Sequence, residues 1–284
     1  GHHFFSNGDT EVILKAYREW GEDTPRHLHG MFAFAVWDMR AKTLFIARDR
    51  FGIKPLYWSL DGSRFRFASN TQALLAGGGI DTAIDPVGLH FQFTLHAVIP
   101  APTTILRGVR KLEPAHSLTI LADGGQKLKR YWDLDATRGH QPANEQDWVD
   151  ATHHALLEAV RRRNDVADVP VGVLLSGGLD SSLLVALLAE IGVRDFHTFS
   201  VGFEDQPEEK GSEFEYSDQV VERYRPIHHK FLVPNEQVLQ RLPEAVDAMA
   251  EPMFGQDAVA FYLLSEQVSK SIKVVQSGQG ADEV

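Results

Sequence analysis

The pattern of apolar and polar positions changes character about halfway along the chain. The first half consists mainly of short aromatic and β-branched runs separated by turn residues, which is typical of antiparallel β-hairpins. The second half alternates apolar β-branched runs with segments of helical spacing, which predicts successive strand–helix–strand units and therefore a parallel sheet. We therefore expect an α/β protein, with an antiparallel α+β domain over residues 1–133, a linker over 134–146 and a parallel-sheet domain over 147–284.

In the first half, the spacing predicts an opening helix over 10–20 that ends at Gly21. The side chains expected on its buried face are Val12, Ile13, Ala16 and Tyr17. Three hairpins and a short helix follow: Met31–Asp38 with Thr43–Asp49, Leu56–Trp58 with Phe65–Ala68 around Asp61-Gly62, Ser117–Ile120 with Lys127–Trp132, and the helix Thr71–Ala76.

The second half begins after a polar segment, 133–146, which has no apolar period and is typical of a linker. A helix over 148–163 is expected to turn Val149, Leu156, Leu157 and Val160 inward. The strands predicted after it are Val171–Leu175, Phe196–Phe203, His229–Val233 and Ile272–Val275, and the helices are Leu183–Ile191, Tyr216–Arg223, Gln237–Met249 and Asp257–Leu264.

Composition narrows the function classes. The chain has 28 basic and 39 acidic residues among its 284, a formal charge of −11, which argues against nucleic acid or an anionic membrane as the main partner. It contains no cysteine, so this stretch holds no disulfide, thiolate metal site or cysteine nucleophile. No apolar run approaches membrane-spanning length and no signal peptide opens the chain, so a cytoplasmic location is expected. Neither end has the character of a natural terminus, and we expect a fragment that lacks both ends.

The most informative stretch is the run Ser176-Gly177-Gly178-Leu179-Asp180-Ser181-Ser182, which follows an apolar strand and opens a helix. Glycines let the backbone approach a ligand closely, and helix N-terminal amides favour an anion. The serines add hydroxyl donors, whereas Asp180 fits beside a phosphate only when a divalent cation lies between them. The pattern therefore predicts a magnesium pyrophosphate site, with a capped strand-to-helix turn as the plain alternative.

A second buried strand, Ile272–Val275, also ends in small residues and an acid, in the run Gln276-Ser277-Gly278-Gln279-Gly280-Ala281-Asp282-Glu283. Ligands of parallel sheets collect beyond the carboxyl ends of the strands, where Val201-Gly202 is also expected.

Three sets of residues resemble known families. The Ser176–Ser182 run resembles the PP-loop of ATP pyrophosphatases, and 276–283 resembles the second signature of asparagine synthetases. Gly8-Asp9-Thr10-Glu11, Gly30–Ala35 and Arg48–Tyr57 resemble the later part of a class II glutaminase domain. Over nearly its whole length the chain thus resembles the glutamine-hydrolysing asparagine synthetases.

This resemblance implies part of an Ntn-type glutaminase domain followed by a Rossmann-like PP-loop domain, with ATP and Mg²⁺ as cofactors. It implies that magnesium is held by Asp180 and Asp282, that Asp180, Asp282 and Gln279 are catalytic positions, and that Asp9 binds glutamine. The positions implied for ATP and pyrophosphate are Leu174, Ser176, Gly177, Gly178, Asp180, Ser181, Ser182, Val201, Gly202, Ser277 and Gly278. The family's cysteine nucleophile would precede Gly1, so this stretch is not expected to hydrolyse glutamine by itself.

The implied activity is adenylation of a carboxylate by ATP, followed by amidation with ammonia from glutamine. The implied partners are glutamine and a carboxylate acceptor such as aspartate or an acetylated dipeptide, and the resemblance allows a homodimer without fixing the oligomeric state. Gln279 stands where asparagine synthetases have an acid, and an amide is no base. Together with the runs 257–264 and 277–284, it resembles the N-acetylglutaminylglutamine amidotransferases, the preferred branch.

Two other interpretations stay open. Another PP-loop enzyme, such as an NAD or GMP synthetase, a tRNA-modifying ligase or a β-lactam-forming synthetase, would share the first motif. An ATP-binding regulatory protein without catalysis is the non-enzyme alternative, motivated by Gln279 and the missing nucleophile.

Overall fold

A computed structural model of the chain describes residues 1–135, 137, 144–205, 211–251 and 256–280, with the side chains of 256 and 257 excepted. The chain forms two compact units. Unit 1 comprises Gly1–Thr137 and Ala248–Phe254, and unit 2 comprises Arg138–Asp247 and Gly255–Val284. Among the described helices, none combines the length and the apolar character that crossing a membrane requires.

Unit 1 contains two antiparallel sheets, one with the strand order β1-β2-β6-β7 and the other with the order β4-β3-β5. Its strands are β1 Ala33–Asp38, β2 Thr43–Arg48, β3 Tyr57–Asp61, β4 Arg64–Ala68, β5 Arg110–Lys111, β6 His116–Ile120 and β7 Gln126–Arg130. Its helices are α1 Asp9–Trp20, α2 Thr24–His27, α3 Thr71–Ala76 and α4 Pro86–Thr94.

The three predicted hairpins are confirmed as β1–β2, β3–β4 and β6–β7. The turn of the second hairpin lies one residue later than predicted, because Asp61 still pairs with Arg64. The segments α2, α4 and β5 were not predicted.

The core of unit 1 covers both faces of β2, since its successive residues Phe45 and Ile46 are fully buried. Helix α1 packs Ile13 and Tyr17 against the cluster around Phe45. Val12, predicted to face inward, is 43% exposed, because the contact face of α1 is narrower than the apolar stripe in its sequence.

Unit 2 is built on one parallel sheet, as predicted, and its strand order is β10-β9-β8-β11. Its strands are β8 Val171–Leu174, β9 His197–Phe203, β10 Ile227–Val233 and β11 Val274–Gln276. Its helices are α5 Glu145–Asp165, α6 Leu179–Glu190, α7 Phe214–Tyr224, α8 Asn235–Gln240, α9 Leu242–Ala248 and α10 Gln256–Ser269.

This strand order creates a topological switch beside β8. The chain moves from β8 to β9 and β10 on one side, and then returns to place β11 on the other side of β8. Parallel sheets bind ligands at such a switch, beyond the carboxyl ends of the strands. The two runs singled out in the sequence come after β8 and β11, so the topology brings them to neighbouring strand ends.

Two predictions for the helices were wrong. The segment 237–249 was predicted as one helix but forms α8 and α9. Pro243 lies in the first turn of α9, because a proline lacks the amide hydrogen that a continuous helix needs and is tolerated only there. In α5, Val149 and Leu156 were expected inward but are 53% and 38% exposed, whereas Val160 is buried.

Candidate functional site

The loop after β8 leads directly into α6, which begins at Leu179, four residues earlier than predicted. Gly178 is the N-cap residue, and its carbonyl accepts hydrogen bonds from the Ser182 amide (3.0 Å), the Ser182 hydroxyl (2.7 Å) and the Ser181 hydroxyl (3.2 Å). Because glycine has no capping side chain, the first-turn amides remain available to an anion at this end of α6.

The conformation of this loop depends on its small residues. Gly177 has φ +91°, and a Cβ added there would lie 2.5 Å from the Ser217 amide nitrogen. A larger residue is therefore excluded both by backbone strain and by the close approach of α7. Ser176 accepts a hydrogen bond from the Gly178 amide (3.2 Å) and lies 3.0 Å from the Ser181 hydroxyl, so two of the predicted serines share one network.

Asp180 lies in the first turn of α6 and is partly buried. Within the described part of the chain, its carboxylate makes no hydrogen bond or ion pair. The loop after β11 runs directly against this turn: a Cβ added to Gly278 would lie 2.7 Å from the Asp180 Cβ and 3.0 Å from the Ser181 nitrogen. The structure thus brings the two sequence runs together at the switch beside β8.

The remaining residues of the second run lie only partly inside the described chain. The Ser277 hydroxyl accepts a hydrogen bond from the backbone amide of Gln279 (3.1 Å), and both residues are exposed. Asp282 lies outside the described residues, so its predicted share in a magnesium site stays a prediction. Among the described residues, the Asp180 carboxylate is the group of this site that could serve as a ligand of a divalent cation, for which carboxylate oxygens are the usual ligands.

A cavity of about 280 Å³ opens at the carboxyl ends of β8 and β9. Of the residues predicted to bind nucleotide, Ser176 and Val201 line this cavity, whereas Leu174 packs into the core beside Phe199. Their contact with a nucleotide stays a prediction. The other lining residues, which sequence reasoning missed, are Leu175, Ser200, Phe203, Gly211, Ser212, Glu213 and Phe214.

Two of the contacts around this cavity explain its shape. Ser200 is buried and donates its hydroxyl to the Leu175 carbonyl, which ties the ends of β8 and β9 together. Gly202 is packed under the start of α7, because a Cβ there would lie 2.5 Å from the Ser212 Cβ. A serine in a strand one residue before the predicted Val201-Gly202 pair was the only signal that could have indicated the cavity wall.

The predicted glutamine-binding residue Asp9 opens α1 and is exposed. The neighbouring Glu11 holds this turn, since its carboxylate accepts the Phe5 amide (2.9 Å) and the Ser6 amide (2.6 Å). It also forms an ion pair with Lys15 at 2.9 Å. Hydrogen bonds from Ser6, Lys15 and Phe5 lower the pKa of Glu11 to about 2, so its carboxylate is ionised at neutral pH. The contact of Asp9 with glutamine stays a prediction.

The run Arg48–Tyr57 forms a braced loop. The side chains of Arg48 and Asp49 both bind backbone groups. The Arg48 guanidinium donates to the carbonyls of Gly52 (2.6 Å), Lys54 (2.9 Å) and Leu112 (2.7 Å). The Asp49 carboxylate, 1% exposed, accepts the amides of Phe32, Phe51, Ile53 and Lys54.

Comparison with known proteins agrees with this architecture. Residues 1–132 match the glutamine amidotransferase domain family, and residues 151–284 match the asparagine synthase family. The chain therefore falls in the class of proteins that carry a glutamine amidotransferase domain, here antiparallel, followed by a synthase domain, here with a parallel sheet, in one polypeptide.

Curated relatives match across both domains. Asparagine synthetase [glutamine-hydrolyzing] 3 of Bacillus subtilis is 35% identical over 100% of this chain and 47% of its own length. Asparagine synthetase [glutamine-hydrolyzing] 1 of the same organism is 33% identical over 100% of this chain and 44% of its own. Amidase chyE of Penicillium rubens is 28% identical over 99% of this chain and 43% of its own. The chain contains the glutamine amidotransferase and asparagine synthase domains that its motifs predicted, and it spans about half the length of these relatives.

Proposed function

We propose that this chain is part of an ATP-dependent, glutamine-hydrolysing amidotransferase that adenylates a substrate carboxylate and converts it to an amide. The observation that carries the proposal is the close approach of Gly278 to Asp180, which joins the two signature runs at the switch of the parallel sheet. A capped turn alone would not require a second strand end to pack against the first turn of α6.

The phosphate groups of ATP lie, in this proposal, over the loop before α6. The backbone amides after Gly178 and the hydroxyls of Ser176, Ser181 and Ser182 are the donors that stabilise the leaving pyrophosphate. Gly177 carries no side chain and so lets α7 pack against the loop, while Gly178 leaves the space beside the Ser176 hydroxyl open.

The cavity at the ends of β8 and β9 takes the nucleoside. Phe203, Phe214 and Val201 supply apolar surface for a base, and Ser200 and Ser212 supply polar groups at the wall. Apolar surface combined with a few fixed polar groups is typical of small-molecule sites. The volume, about 280 Å³, suits a nucleoside with its phosphates extending toward the loop.

Magnesium would be held by Asp180, together with Asp282, and would supply positive charge that neutralises the phosphates when bound. The chain's own residues perform the rest of the work: the loop amides and hydroxyls align the phosphates, and the packed Gly278 loop keeps the Asp180 side of the site closed.

In the proposed reaction, an oxygen of the substrate carboxylate attacks the α-phosphorus of ATP. The bond between that phosphorus and the bridging oxygen breaks, pyrophosphate leaves and an acyl-adenylate forms. Ammonia released from glutamine then attacks the acyl carbon, AMP leaves and the extra proton passes to solvent. Asp9 would bind the glutamine, and Gln279 can orient a substrate by hydrogen bonds but cannot accept the proton as a base.

For the acceptor, we favour an acetylated dipeptide, N-acetylglutaminylglutamine, over aspartate. Gln279 replaces the acid of asparagine synthetases, and the runs 257–264 and 277–284 resemble the dipeptide amidotransferases. A relative named as an amidase matches both domains, so membership of the family does not fix the acceptor.

The test measures pyrophosphate and AMP released by the full-length protein with ATP, magnesium and ammonium chloride, once with aspartate and once with the acetylated dipeptide. We expect release that depends on the dipeptide and falls about a hundredfold in Asp180→Asn. Asp168→Asn, an exposed aspartate of the same unit, is the matched control and should leave the rate unchanged. Formation of ADP and phosphate, or no release with either carboxylate, contradicts the proposal, and release with aspartate alone corrects the acceptor.

A further inference from the structure

A short segment from the second half of the sequence, Met249–Glu251, belongs to unit 1. In the chain it stands between α9 and α10, yet α3 of unit 1 binds its backbone. The Ala250 carbonyl accepts hydrogen bonds from the Thr71 amide (3.3 Å) and the Thr71 hydroxyl (2.6 Å), and the Gln72 side-chain amide donates to the Met249 carbonyl. The segment is therefore held on unit 1 by specific hydrogen bonds.

The end of this segment places a charge inside unit 1. Glu251 Oε2 lies 2.8 Å from Lys111 Nζ, and the two side chains are 19% and 10% exposed. Lys111 belongs to β5 and also donates to the Ile99 carbonyl at 2.5 Å. Beside them, burial and then the Glu251 carboxylate raise the pKa of the Tyr57 phenol, which therefore stays protonated at neutral pH. The pair is thus a largely desolvated ion pair.

Apolar packing also attaches the segment, since Ala250 packs against the cluster of Tyr57, Leu74 and Val109. Apolar contacts are not directional, so they alone would not fix the position of the segment on unit 1. A buried ion pair adds little stability compared with apolar residues of the same size, but it selects one geometry, because either charge left alone is unfavourable. The Lys111–Glu251 pair therefore specifies where the segment sits rather than simply how strongly it is held.

Helix α10, the next described element in the chain, gives this placement a functional meaning. Its residues Val259, Leu263 and Leu264 are buried in the cores of unit 2. One stretch of chain thus packs in unit 1 at Glu251 and, from α10 onward, contributes to the core of unit 2. A disturbance at Lys111 acts on a segment covalently continuous with the synthetase half.

We propose that Lys111 and Glu251 are positioning residues whose ion pair fixes the Met249–Glu251 segment on the glutaminase unit, and that this attachment lets the synthetase half use ammonia released from glutamine. The inference rests on the proposed function. It assigns no contact with a substrate to either side chain. If the pair served only to stabilise the fold, its loss would affect every activity of the protein alike.

The experiment compares two nitrogen sources in the full-length protein. For Glu251→Gln and Lys111→Gln, the amide product is measured per glutamate formed from glutamine, and separately with ammonium chloride as the nitrogen source. We expect the glutamine-driven ratio to fall about tenfold and the ammonium-driven rate to stay within about twofold. The double variant should be no worse than either single variant, because the two changes remove one interaction.

The control is Asp23→Asn, which removes the exposed ion pair with Lys129 (2.9 Å) in the same unit and should change neither readout. An unchanged ratio in the Glu251 and Lys111 variants, or an equal loss with both nitrogen sources, overturns the proposal. If the wild-type protein forms no amide from either source, the proposed function itself fails. Hydrogen exchange then still decides the attachment. Glu251→Gln should speed exchange of the Thr71 amide, which donates to the Ala250 carbonyl, whereas Asp23→Asn should not.

Discussion

At the scale of single residues, the candidate nucleotide site depends on two glycines for different reasons. Gly177 has a positive φ and also lies against α7, so its backbone and its surroundings both exclude a side chain. Gly278 has an ordinary backbone, and only the closeness of Asp180 excludes a side chain there. Gly278 therefore matters because it allows close approach: the loop after β11 reaches the first turn of α6 only while position 278 lacks a Cβ.

Gly278→Ala tests this distance. The new Cβ would meet the Asp180 Cβ at 2.7 Å and backbone atoms at 3.0 Å, so no side-chain rotation relieves the contact and the loop must move. We expect the affinity for magnesium ATP to fall about tenfold or more, measured by calorimetric titration. Gly8→Ala is the matched control, because its Cβ would meet nothing closer than the Ser6 hydroxyl at 3.7 Å. Equal affinity in the two variants would show that the loops do not act together.

At the scale of elements, strands β9 and β10 carry a group of histidines on the parallel sheet. His197 Nδ1 lies 2.9 Å from His229 Nε2, and Thr198 Oγ1 lies 2.8 Å from His228 Nδ1. The ring of His229 also stacks on Phe199 with centroids 4.8 Å apart. The contact between His197 and His229 requires at least one uncharged imidazole, since two protonated rings cannot share a hydrogen bond.

The pairing of β9 with β10 should therefore weaken in acid. Burial lowers the pKa of His228 and of His229 below their ordinary 6.5; Lys230 adds to this effect at His228 while Asp218 opposes it, and His197 adds to it at His229. The unfolded chain then binds more protons than the folded chain below about pH 6.5, so the free energy of unfolding falls as the pH drops through that range.

Denaturant titrations of unit 2 fluorescence at about pH 7.5, 6.5 and 5.5 measure this loss. His229→Gln, which keeps a neutral hydrogen-bonding side chain, should flatten the dependence, and the exposed His154→Gln should leave it as in the wild type. A stability that does not change between the two ends of this range would contradict the assignment.

The elements also show which physical signals the sequence carries. Hairpins and parallel strands were predictable from local periodicity. An alternating apolar run is typical of a strand buried on one face, and a continuous apolar run is typical of a strand buried on both faces. The break between α8 and α9 comes from Pro243, a local signal that the apolar period of 237–249 masks. Strand β5, by contrast, has only two residues and exists because Tyr57 pairs with Lys111 across the chain.

The candidate site divides in the same way. Its loop after β8 and its partner loop after β11 were predicted, because small residues at the ends of buried strands have a local physical reason. The cavity wall formed by 211–214 could not be predicted, since Gly202 and Ser212 meet only once the chain has folded back. The place of Glu251 in unit 1 is likewise a long-range contact that no periodicity indicates.

At the scale of the whole molecule, the net charge bears on how the proposed nucleotide is bound. The chain carries a formal charge of −11 and the nucleotide is itself a polyanion. The net charge therefore does not favour long-range attraction, and we expect the affinity to come from local groups: the first-turn amides of α6, the loop hydroxyls and a divalent cation beside Asp180. Binding should accordingly depend strongly on magnesium.

The same reasoning predicts where the nucleotide stabilises the molecule. A ligand that binds only the folded form of unit 2 adds about 2.7 kcal/mol to its stability at a hundred times the dissociation constant. We expect magnesium ATP to slow hydrogen exchange in β8, α6 and β11, and to leave β1 and β2 of unit 1 unchanged, as measured residue by residue in the full-length protein.

Asp180→Asn should remove that protection, and so should omission of magnesium, because each takes away one side of the same carboxylate–cation–phosphate arrangement. Protection that appears in β1 and β2 instead would place the nucleotide on unit 1. Protection that persists in Asp180→Asn would show that the α6 amides and the serines hold the phosphates without the carboxylate, and the metal would then have to be held elsewhere.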